Sequence, residues 1–511
     1  MNRLEKALFR CRGAERKDAS KPAGFEASST THFNIFFGFS EKSHRDAVRV
    51  YRNDNDKPFP TEVSMNVPNK ASETDDSVVV HDEKTGIVED EFLQVNDLVT
   101  VRKDAAKKAA KGVLAELEVM IREKRWEDAI TLFHPIEEKV PETIGSGWDG
   151  SIRRKIAFAL GQINRFDDAI RELDACIQAD PENFFLHNSL AYTAYNSLYA
   201  AKNKEIFLSG KNRHERIDLA HRHFAAAQAL RPDGVTNFYR QGMLYRQIER
   251  KTSQALPLFF KAISNWESLS PEDREARHQE RKNYIKALYQ GASAVLENGR
   301  PQKALDLLKQ CLAEDNGTDH ISMTFKYFAL GKVHFSMCRF GEARDALLFS
   351  LKCSSSGPVD FIRELLARTY LALDNPAKGL QEIEKLPERI RRPYVRWTES
   401  DLRISLEDFA GARAVLLNAV ERDNRSRHKT LVRLARLEYL LGGYDKVIEH
   451  GKSACDFFIE KWGQVYAEGL YWQILGAYRS GAPDNARTLM SQLETEHPDY
   501  PGLDKLKSRL T

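Results

Sequence analysis

The sequence predicts an all-α protein in which short helices pack in pairs along most of the chain. From Asp104 onward, strong helix formers dominate, prolines are sparse and apolar residues recur at intervals of three and four. Before that point Ser, Thr, Asp, Asn and Lys dominate, and no helical period is sustained. We therefore expect a largely irregular N-terminal region, residues 1–104, followed by a helical region, residues 105–511.

The composition narrows the functional classes. The 511 residues include 42% hydrophobic side chains, enough for a sizeable core, and 77 basic against 74 acidic residues. The net charge of +3 argues against a dedicated polyanion-binding protein. Six scattered cysteines without a C-x-x-C pair are typical of a reducing compartment. The sequence shows no apolar run long enough for a membrane span and no apolar core of a secretory signal, so we expect a cytoplasmic protein.

Ten positions in the helical region share one local pattern, and nearly all are centred on a small side chain. A large apolar residue usually follows four positions later, as Phe224 follows Ala220, and a second small residue often follows seven positions later, as Ala227 does. The ten anchor positions are Ala129, Ala169, Ala220, Ala255, Ala304, Ala343, Gly379, Ala412, Val447 and Ala486.

Helix packing explains this pattern. Residues seven apart lie on one face of a helix, and two antiparallel helices approach closely only where the facing side chains are small. The large residue between them fills the space beside the crossing, and a following proline, such as Pro181, ends the helix. Changing Ala220 or Ala343 to Leu should overpack the crossing and cost about 1–3 kcal/mol.

The pattern resembles the tetratricopeptide repeat, a 34-residue helix–turn–helix unit. The stretch "ALGKVHFSMCRFGEARDAL" carries Leu330, Gly331 and Ala343, and the stretch "LAHRHFAAAQALRPDG" carries Ala220 and Pro232. About ten degenerate repeats cover residues 105–500. The resemblance implies a solenoid of helix pairs with a right-handed superhelical twist.

Two intervals between anchors are longer than the rest. Residues 199–218, "YAAKNKEIFLSGKNRHERID", are basic, and residues 264–284 read "SNWESLSPEDREARHQERKNY". Insertions in such arrays form loops or lengthened helices on one face. The basic insertion has two interpretations, a loop that is simply solvated or a site that contacts a partner.

The N-terminal region contains two distinctive segments. Residues 72–92 are acidic around short β-branched runs, and residues 32–40 contain a cluster of phenylalanines. Such a cluster is costly to leave in water, so it should bury itself against the protein's own helices or against a partner. The residues of this possible docking motif are Phe33, Phe36, Phe37 and Phe39.

No arrangement of residues predicts catalysis, a cofactor or a metal. The motif "GSGWDG" has the glycine spacing of a dinucleotide loop, but no strand precedes it, so we interpret it as a loop between repeats. Cys176 and Cys311 occupy the small packing position. His221 and His223 lie two residues apart, on different sides of a helix, which does not favour a shared metal. The chain is predicted not to be an enzyme.

The resemblance implies that the first helix of each pair lines a concave groove that holds peptides. Applied to this chain, the repeat register selects aromatic and arginine side chains with few acids, a mixture suited to a segment with apolar anchors and a carboxylate. Many of the same residues could instead pack between repeats. The candidate groove residues are Arg154, Phe158, Asn188, Tyr192, Tyr195, Arg240, Phe328, Lys332, Phe335, Arg368, Trp397, Arg436, Tyr439 and Tyr471.

Three functions compete at this point. The first is a non-enzymatic scaffold or adaptor that binds a segment of a partner protein, of unknown identity, in the groove. The second is binding of single-stranded RNA through basic and aromatic side chains, which the modest net charge disfavours. The third is a regulatory subunit of a separately encoded enzyme. Fold alone does not choose among them.

Overall fold

A computed structural model describes residues 86–354 and 359–510 of the chain. The phenylalanine segment 32–40 lies outside these residues, as does most of the acidic segment 72–92. The described part is helical and contains no strand, which confirms the all-α prediction. Among the described residues, no helix combines the length with the hydrophobicity that a transmembrane segment requires.

The helices of the N-terminal half follow one another with short connections. They are α1 (Gly86–Arg122), α2 (Trp126–Phe133), α3 (Ile136–Lys139), α4 (Asp149–Gln162), α5 (Phe166–Ala179), α6 (Phe184–Lys202), α7 (Gly210–Leu230), α8 (Thr236–Met243), α9 (Thr252–Glu267), α10 (Pro271–Ala276) and α11 (His278–Glu297). A 3-10 turn, Pro141–Thr143, precedes α4, and a π-helical turn, Leu244–Glu249, continues α8.

The C-terminal half continues the same alternation. Its helices are α12 (Pro301–Glu314), α13 (Met323–Ser336), α14 (Phe340–Cys353), α15 (Asp360–Ala372), α16 (Pro376–Glu384), α17 (Pro393–Ser405), α18 (Phe409–Arg422), α19 (Arg427–Leu440), α20 (Tyr444–Trp462), α21 (Ala467–Arg479), α22 (Pro483–Glu496) and α23 (Leu503–Leu510). A 3-10 turn, Glu388–Ile390, precedes α17.

Helix α1 begins earlier than the sequence suggested. It runs unbroken from Gly86 through residue 104, where we placed the change from irregular chain to repeats. The described chain forms two compact units, one ending at Ala287 and the other beginning at Leu288, within α11.

Within each unit, helices that are neighbours in sequence pack as pairs. A first and a second helix are in contact in α4–α5, α6–α7 and α8–α9 of the N-terminal unit, and in α13–α14, α15–α16, α17–α18, α19–α20 and α21–α22 of the C-terminal unit. All ten anchor positions are buried, and each lies on a second helix. These pairs repeat the helix–turn–helix arrangement that the resemblance to tetratricopeptide repeats implied.

The close approach behind the pattern is visible at Gly331 and Gly379. A Cβ atom on Gly331 would lie 2.7 Å from the side chain of Leu347, the large residue four positions after the anchor Ala343. A Cβ atom on Gly379 would lie 2.6 Å from Leu402 Cδ2 and 2.9 Å from the carbonyl oxygen of Ala367. The helices touch at these points, so only the smallest side chains fit.

Most of the turns from a first to a second helix share one conformation that the sequence did not reveal. A residue with positive φ stands two positions before the second helix, where it ends the first helix in a left-handed cap. Glycine occupies this position only in some repeats. The residues at this position are Lys124, Asn164, Arg250, Gly299, Cys338, Asp374, Glu407, Gly442 and Gly481.

The two insertions are mostly helical. The basic stretch 199–218 lengthens α6 and α7 and leaves only a short connection between them. At its tip the side chain of Phe207 is 89% exposed. The second stretch forms the end of α9, the short helix α10 and the start of α11.

Candidate partner-binding surface

The first helices of successive pairs lie side by side within each unit. Helix α4 contacts α6, and α13, α15, α17, α19 and α21 contact one another in sequence. The predicted groove residues lie on these helices and, for Arg240, on the first helix α8. We call the surface that carries them in each unit the first-helix face.

In the N-terminal unit, the structure brings three predicted residues together. The rings of Tyr192 and Tyr195 on α6 stack with their centres 6.2 Å apart. The guanidinium carbon of Arg240, on α8, lies 3.6 Å from the centre of the Tyr192 ring. Tyr195 is buried, whereas Tyr192 and Arg240 are half-buried and remain accessible from the face.

The other predicted residues of this unit lie nearby on α4 and α6. Arg154 is half-buried on α4. Phe158 packs edge-to-face against Trp126, with ring centres 5.7 Å apart, so it contacts the second helix of the preceding repeat. The Oδ1 atom of Asn188 is buried and has no hydrogen-bond partner among the described residues.

The arrangement of Arg240 over Tyr192 recurs in the C-terminal unit. The guanidinium carbon of Arg368 on α15 lies 5.0 Å from the centre of the Phe335 ring on α13. The guanidinium carbon of Arg433 on α19 lies 4.3 Å from the centre of the Trp397 ring on α17. In each case an arginine covers an aromatic ring of the preceding first helix.

A further pair joins α19 and α21. The guanidinium carbon of Arg479 lies 5.7 Å from the centre of the Tyr439 ring, and Arg479 Nε donates a hydrogen bond of 2.9 Å to the Tyr439 hydroxyl. Arg433 and Arg479 were missed by the sequence reasoning. The signal that could have found them is an arginine about one repeat after a first-helix aromatic residue.

The remaining predicted residues take more structural roles. Phe328 is buried edge-to-face against Phe361, with ring centres 4.6 Å apart, and Lys332 Nζ lies 6.0 Å from the Phe328 ring. Tyr471 packs on its neighbour Trp472 and on Tyr500. Trp397 is buried and donates a hydrogen bond of 2.8 Å to Thr430 Oγ1, and Arg436 is half-buried on α19.

Acidic side chains are interleaved with these arginines. Glu364 on α15 lies 3.8 Å from Arg368 and accepts a 2.6 Å hydrogen bond from Thr398. Burial raises the pKa of Glu364, although the charge of Arg368 opposes the shift. Burial lowers the pKa of Arg433, which the nearby carboxylate of Asp401 partly offsets. Carboxyl groups therefore lie close to two of the arginines of the first-helix face.

The residues examined for catalysis have structural partners. Cys176 and Cys311 are buried, and burial raises the pKa of their thiols to about 11 and about 12. His221 bonds Glu249 at 2.6 Å, whereas His223 bonds His187 at 2.8 Å, so the two histidines face different neighbours as predicted. Within the described ranges no cluster of three metal-ligating side chains occurs.

The glycine motif lies where the sequence placed it. Gly145 and Gly147 have positive φ in the loop between the 3-10 turn and α4. Gly150 is already inside α4, and a 3-10 turn rather than a strand precedes the loop. The motif is a connection between repeats.

Neither a protein-family model nor a curated protein sequence matches the chain. Solved structures do show similarity. A tetratricopeptide repeat protein from Parabacteroides merdae is 12% identical, with a TM-score of 0.36, over 53% of this chain and 92% of that one. Naa15/Naa10 bound to HypK-THB is 11% identical, with a TM-score of 0.43, over 80% of this chain and 70% of that one. A human IFIT1 dimer with m7Gppp-AAAA is 15% identical, with a TM-score of 0.37, over 74% of this chain and 79% of that one.

Proposed function

We propose that the protein is a non-enzymatic, cytoplasmic scaffold that holds a segment of a partner protein against its first-helix faces. The observation that carries this proposal is the repeated placement of an arginine over an aromatic ring of the preceding first helix, as in Arg368 over Phe335. The half-buried pairs, Arg240 with Tyr192 and Arg368 with Phe335, present a flat guanidinium for a carboxylate and an apolar rim for a neighbouring side chain.

The stacking also prepares the arginines for binding. A guanidinium that lies on a ring has already lost much of its side-chain freedom, so a ligand carboxylate has less ordering to impose. Tyr192, Arg240, Phe335 and Arg368 are half-buried, and so they combine fixed geometry with access to a ligand. Fixed aromatic and arginine side chains are the usual anchors of protein interfaces.

The charge pattern favours a protein segment over RNA. A nucleic-acid groove needs a run of uncompensated positive charge along the backbone path. Here Glu364 lies beside Arg368, and Asp401 acts on Arg433. These carboxyl groups offset part of the positive charge that would attract a polyphosphate chain, whereas a polypeptide can carry complementary charges of both signs.

The proposal gives the phenylalanines of the N-terminal region one of two roles. Phe33, Phe36, Phe37 and Phe39 would form a second docking point for the partner or occupy the face in its absence. A full-length variant with all four changed to serine separates the two roles. Loss of the partner identifies a docking point, and tighter binding of the partner identifies an internal competitor.

Affinity purification of the full chain, with and without nuclease and read by mass spectrometry, tests the function. The double variant R240E/R368E should lose a nuclease-resistant partner that the wild-type chain retains. The matched control is R171E/R487E, because these arginines lie on second helices with side chains 77% and 63% exposed. Retention of the partner by a folded R240E/R368E chain would contradict the proposal, and recovery of nucleic acid alone would replace it with RNA binding.

A further inference from the structure

An ion pair recurs inside the repeats, between an arginine near the start of a first helix and a glutamate of the second helix. Arg153 on α4 bonds Glu172 on α5 at 2.6 Å, and Arg363 on α15 bonds Glu382 on α16 at 2.5 Å. In both cases the glutamate follows the arginine by 19 residues. The same contact therefore occupies the same place in two repeats.

A third arginine stands in this place without the glutamate. Arg396 on α17 precedes its anchor Ala412 by the same interval that separates Arg363 from Gly379, 16 residues in each case (412 − 396 and 379 − 363). The residue 19 positions after Arg396 (396 + 19) is Val415. The second helix α18 thus supplies a short apolar side chain where its equivalents supply a carboxylate.

Arg396 is nevertheless buried. The residue is only 3% exposed, and it donates a hydrogen bond of 2.9 Å to the carbonyl oxygen of Glu388. The Glu388 carboxylate lies 3.6 Å away on a side chain that is 63% exposed. A buried guanidinium is costly without a close carboxylate, and a solvated one 3.6 Å away compensates it weakly.

The pKa values of Arg153 and Arg396 shift in opposite directions, as this difference in carboxylate partners leads one to expect. Burial alone would lower the pKa of Arg153, but its hydrogen bonds to Glu137 and Glu172 raise it above its usual value. Burial lowers the pKa of Arg396 and the charge of Arg422 lowers it further, and Glu388 and Glu399 offset this shift only in part. Arg396 is the member of the series whose charge is least well compensated.

A cavity of about 300 Å³ lies beside Arg396, and Val415 forms part of its lining. Asn418, one turn further along α18, lines it too, and its Oδ1 atom is buried without a hydrogen-bond partner among the described residues. The space therefore contains a buried guanidinium whose Glu388 carboxylate partner is solvent-exposed, and an amide oxygen that lacks a donor.

The geometry points to this cavity as a binding site for a carboxylate, which replaces the missing glutamate and pairs with Arg396. The ligand also carries an N–H or O–H group close to its carboxylate, which donates to Asn418. The carboxylate belongs either to a small free acid or to an acidic side chain of a protein segment. Both present the same chemistry to the cavity.

The charges that line the cavity select a monoanion. Glu399 is buried and already accepts hydrogen bonds from Arg391 at 2.9 Å and from Arg403 at 3.2 Å. Arg391 and Arg403 thus have a close carboxylate partner, so Arg396, whose Glu388 carboxylate lies 3.6 Å away, is the arginine of the lining with the weakest charge partner. A doubly charged phosphate would meet the carboxylates of Glu388 and Glu399, which the lining also contains.

Thermal unfolding of the full chain tests this site. The probes are sodium propionate, as a free acid, and N-acetyl-glutamate N-methylamide, as an acidic side chain with adjacent N–H groups. Sodium chloride and sodium phosphate at matched ionic strength are the comparisons. A ligand that binds the folded state raises Tm with its concentration. We expect at least one carboxylate probe to raise Tm above both comparisons, and the stronger probe identifies the source.

Two variants distinguish this site from a general salt effect. In R396Q the affinity for the carboxylate should fall at least about tenfold, because a buried charge partner is lost. In V415E the new carboxylate should pair with Arg396, raise Tm without ligand and abolish the response. The control L417E adds the same charge to an exposed position of α18, 44% exposed, and should keep the response.

The proposal is overturned by any of three results. The first is a Tm response to phosphate or chloride equal to that to both carboxylates. The second is a V415E variant that retains the carboxylate response. The third is the absence of a response to either carboxylate in the wild-type chain.

Discussion

The guanidinium carbon of Arg240 lies 3.6 Å from the centre of the Tyr192 ring, across the boundary between two repeats. Tyr192 belongs to the first helix α6 and Arg240 to the next first helix, α8. The same relationship joins Trp397 to Arg433 at 4.3 Å. A stack of this kind connects neighbouring repeats and also shapes the surface that a partner meets.

A double-mutant cycle at this pair should show direct coupling. We expect Y192L and R240M together to destabilise the chain less than the sum of the single changes, with a coupling of about 0.5–2 kcal/mol. Urea unfolding of the wild type, both single variants and the double variant measures it. As a control, Y192L and R171M should be additive, because Arg171 is an exposed residue of α5. Additivity in both cycles would show that the stack contributes no stability.

Two glycine-to-alanine changes should have opposite effects on stability. At Gly379 the new Cβ would meet Leu402 and the carbonyl oxygen of Ala367, so G379A should cost about 1–3 kcal/mol. At Gly341, on the second helix α14, a new Cβ would meet nothing within 4 Å. There the better helix propensity of alanine should stabilise the chain by about 0.5–1 kcal/mol. Urea midpoints compare the two, and a stabilised G379A would show that the helices are not in close contact there.

The left-handed caps predict a stabilising substitution. Glu407 has a φ of 63° between α17 and α18, a conformation that costs a side chain with a Cβ atom about 1–2 kcal/mol. Changing it to glycine should stabilise the chain by about 0.5–1 kcal/mol after the added freedom of the unfolded chain is counted. The control L406G, at a φ of −90°, should destabilise it. Thermal unfolding of both variants checks the difference in sign.

His428 should make the protein less stable in acid. Its buried ring is surrounded by aromatic rings, and burial, assisted by the charge of Lys429, lowers its pKa to about 4. The unfolded chain takes up this proton near pH 6.5, so it binds more protons than the folded chain between about pH 6.5 and 4. Stability is therefore lost as the pH falls through that window. The surrounding rings are Phe457, Phe458, Trp462 and Tyr466.

The variant H428F should retain more of its stability on acidification. Its urea midpoint should fall less between pH 7 and pH 5 than that of the wild-type chain. His223, whose pKa burial also lowers to about 4, will continue to contribute to the remaining slope. Parallel curves for H428F and the wild type would show that His428 does not titrate between these pH values.

The sequence by itself determined the helix pairs and the residues at their crossings. The spacing of Ala220, Phe224 and Ala227 is a local property of one helix face, and it predicts close packing before any partner helix is known. The αL caps escaped detection because Lys124 or Glu407 carries no compositional signal for positive φ. The start of α1 at Gly86 escaped because the segment before residue 104 lacks a sustained apolar period.

Only the tertiary structure decided which side chains of different helices meet. The sequence selected Arg240 and Arg368 as groove residues, but it did not show that each lies over a ring of the preceding repeat, nor that Arg433 and Arg479 do the same. Such contacts depend on how one helix pair is rotated and displaced relative to the next. That rotation is set by the packing of whole helices, whereas the sequence pattern reports one helix face at a time.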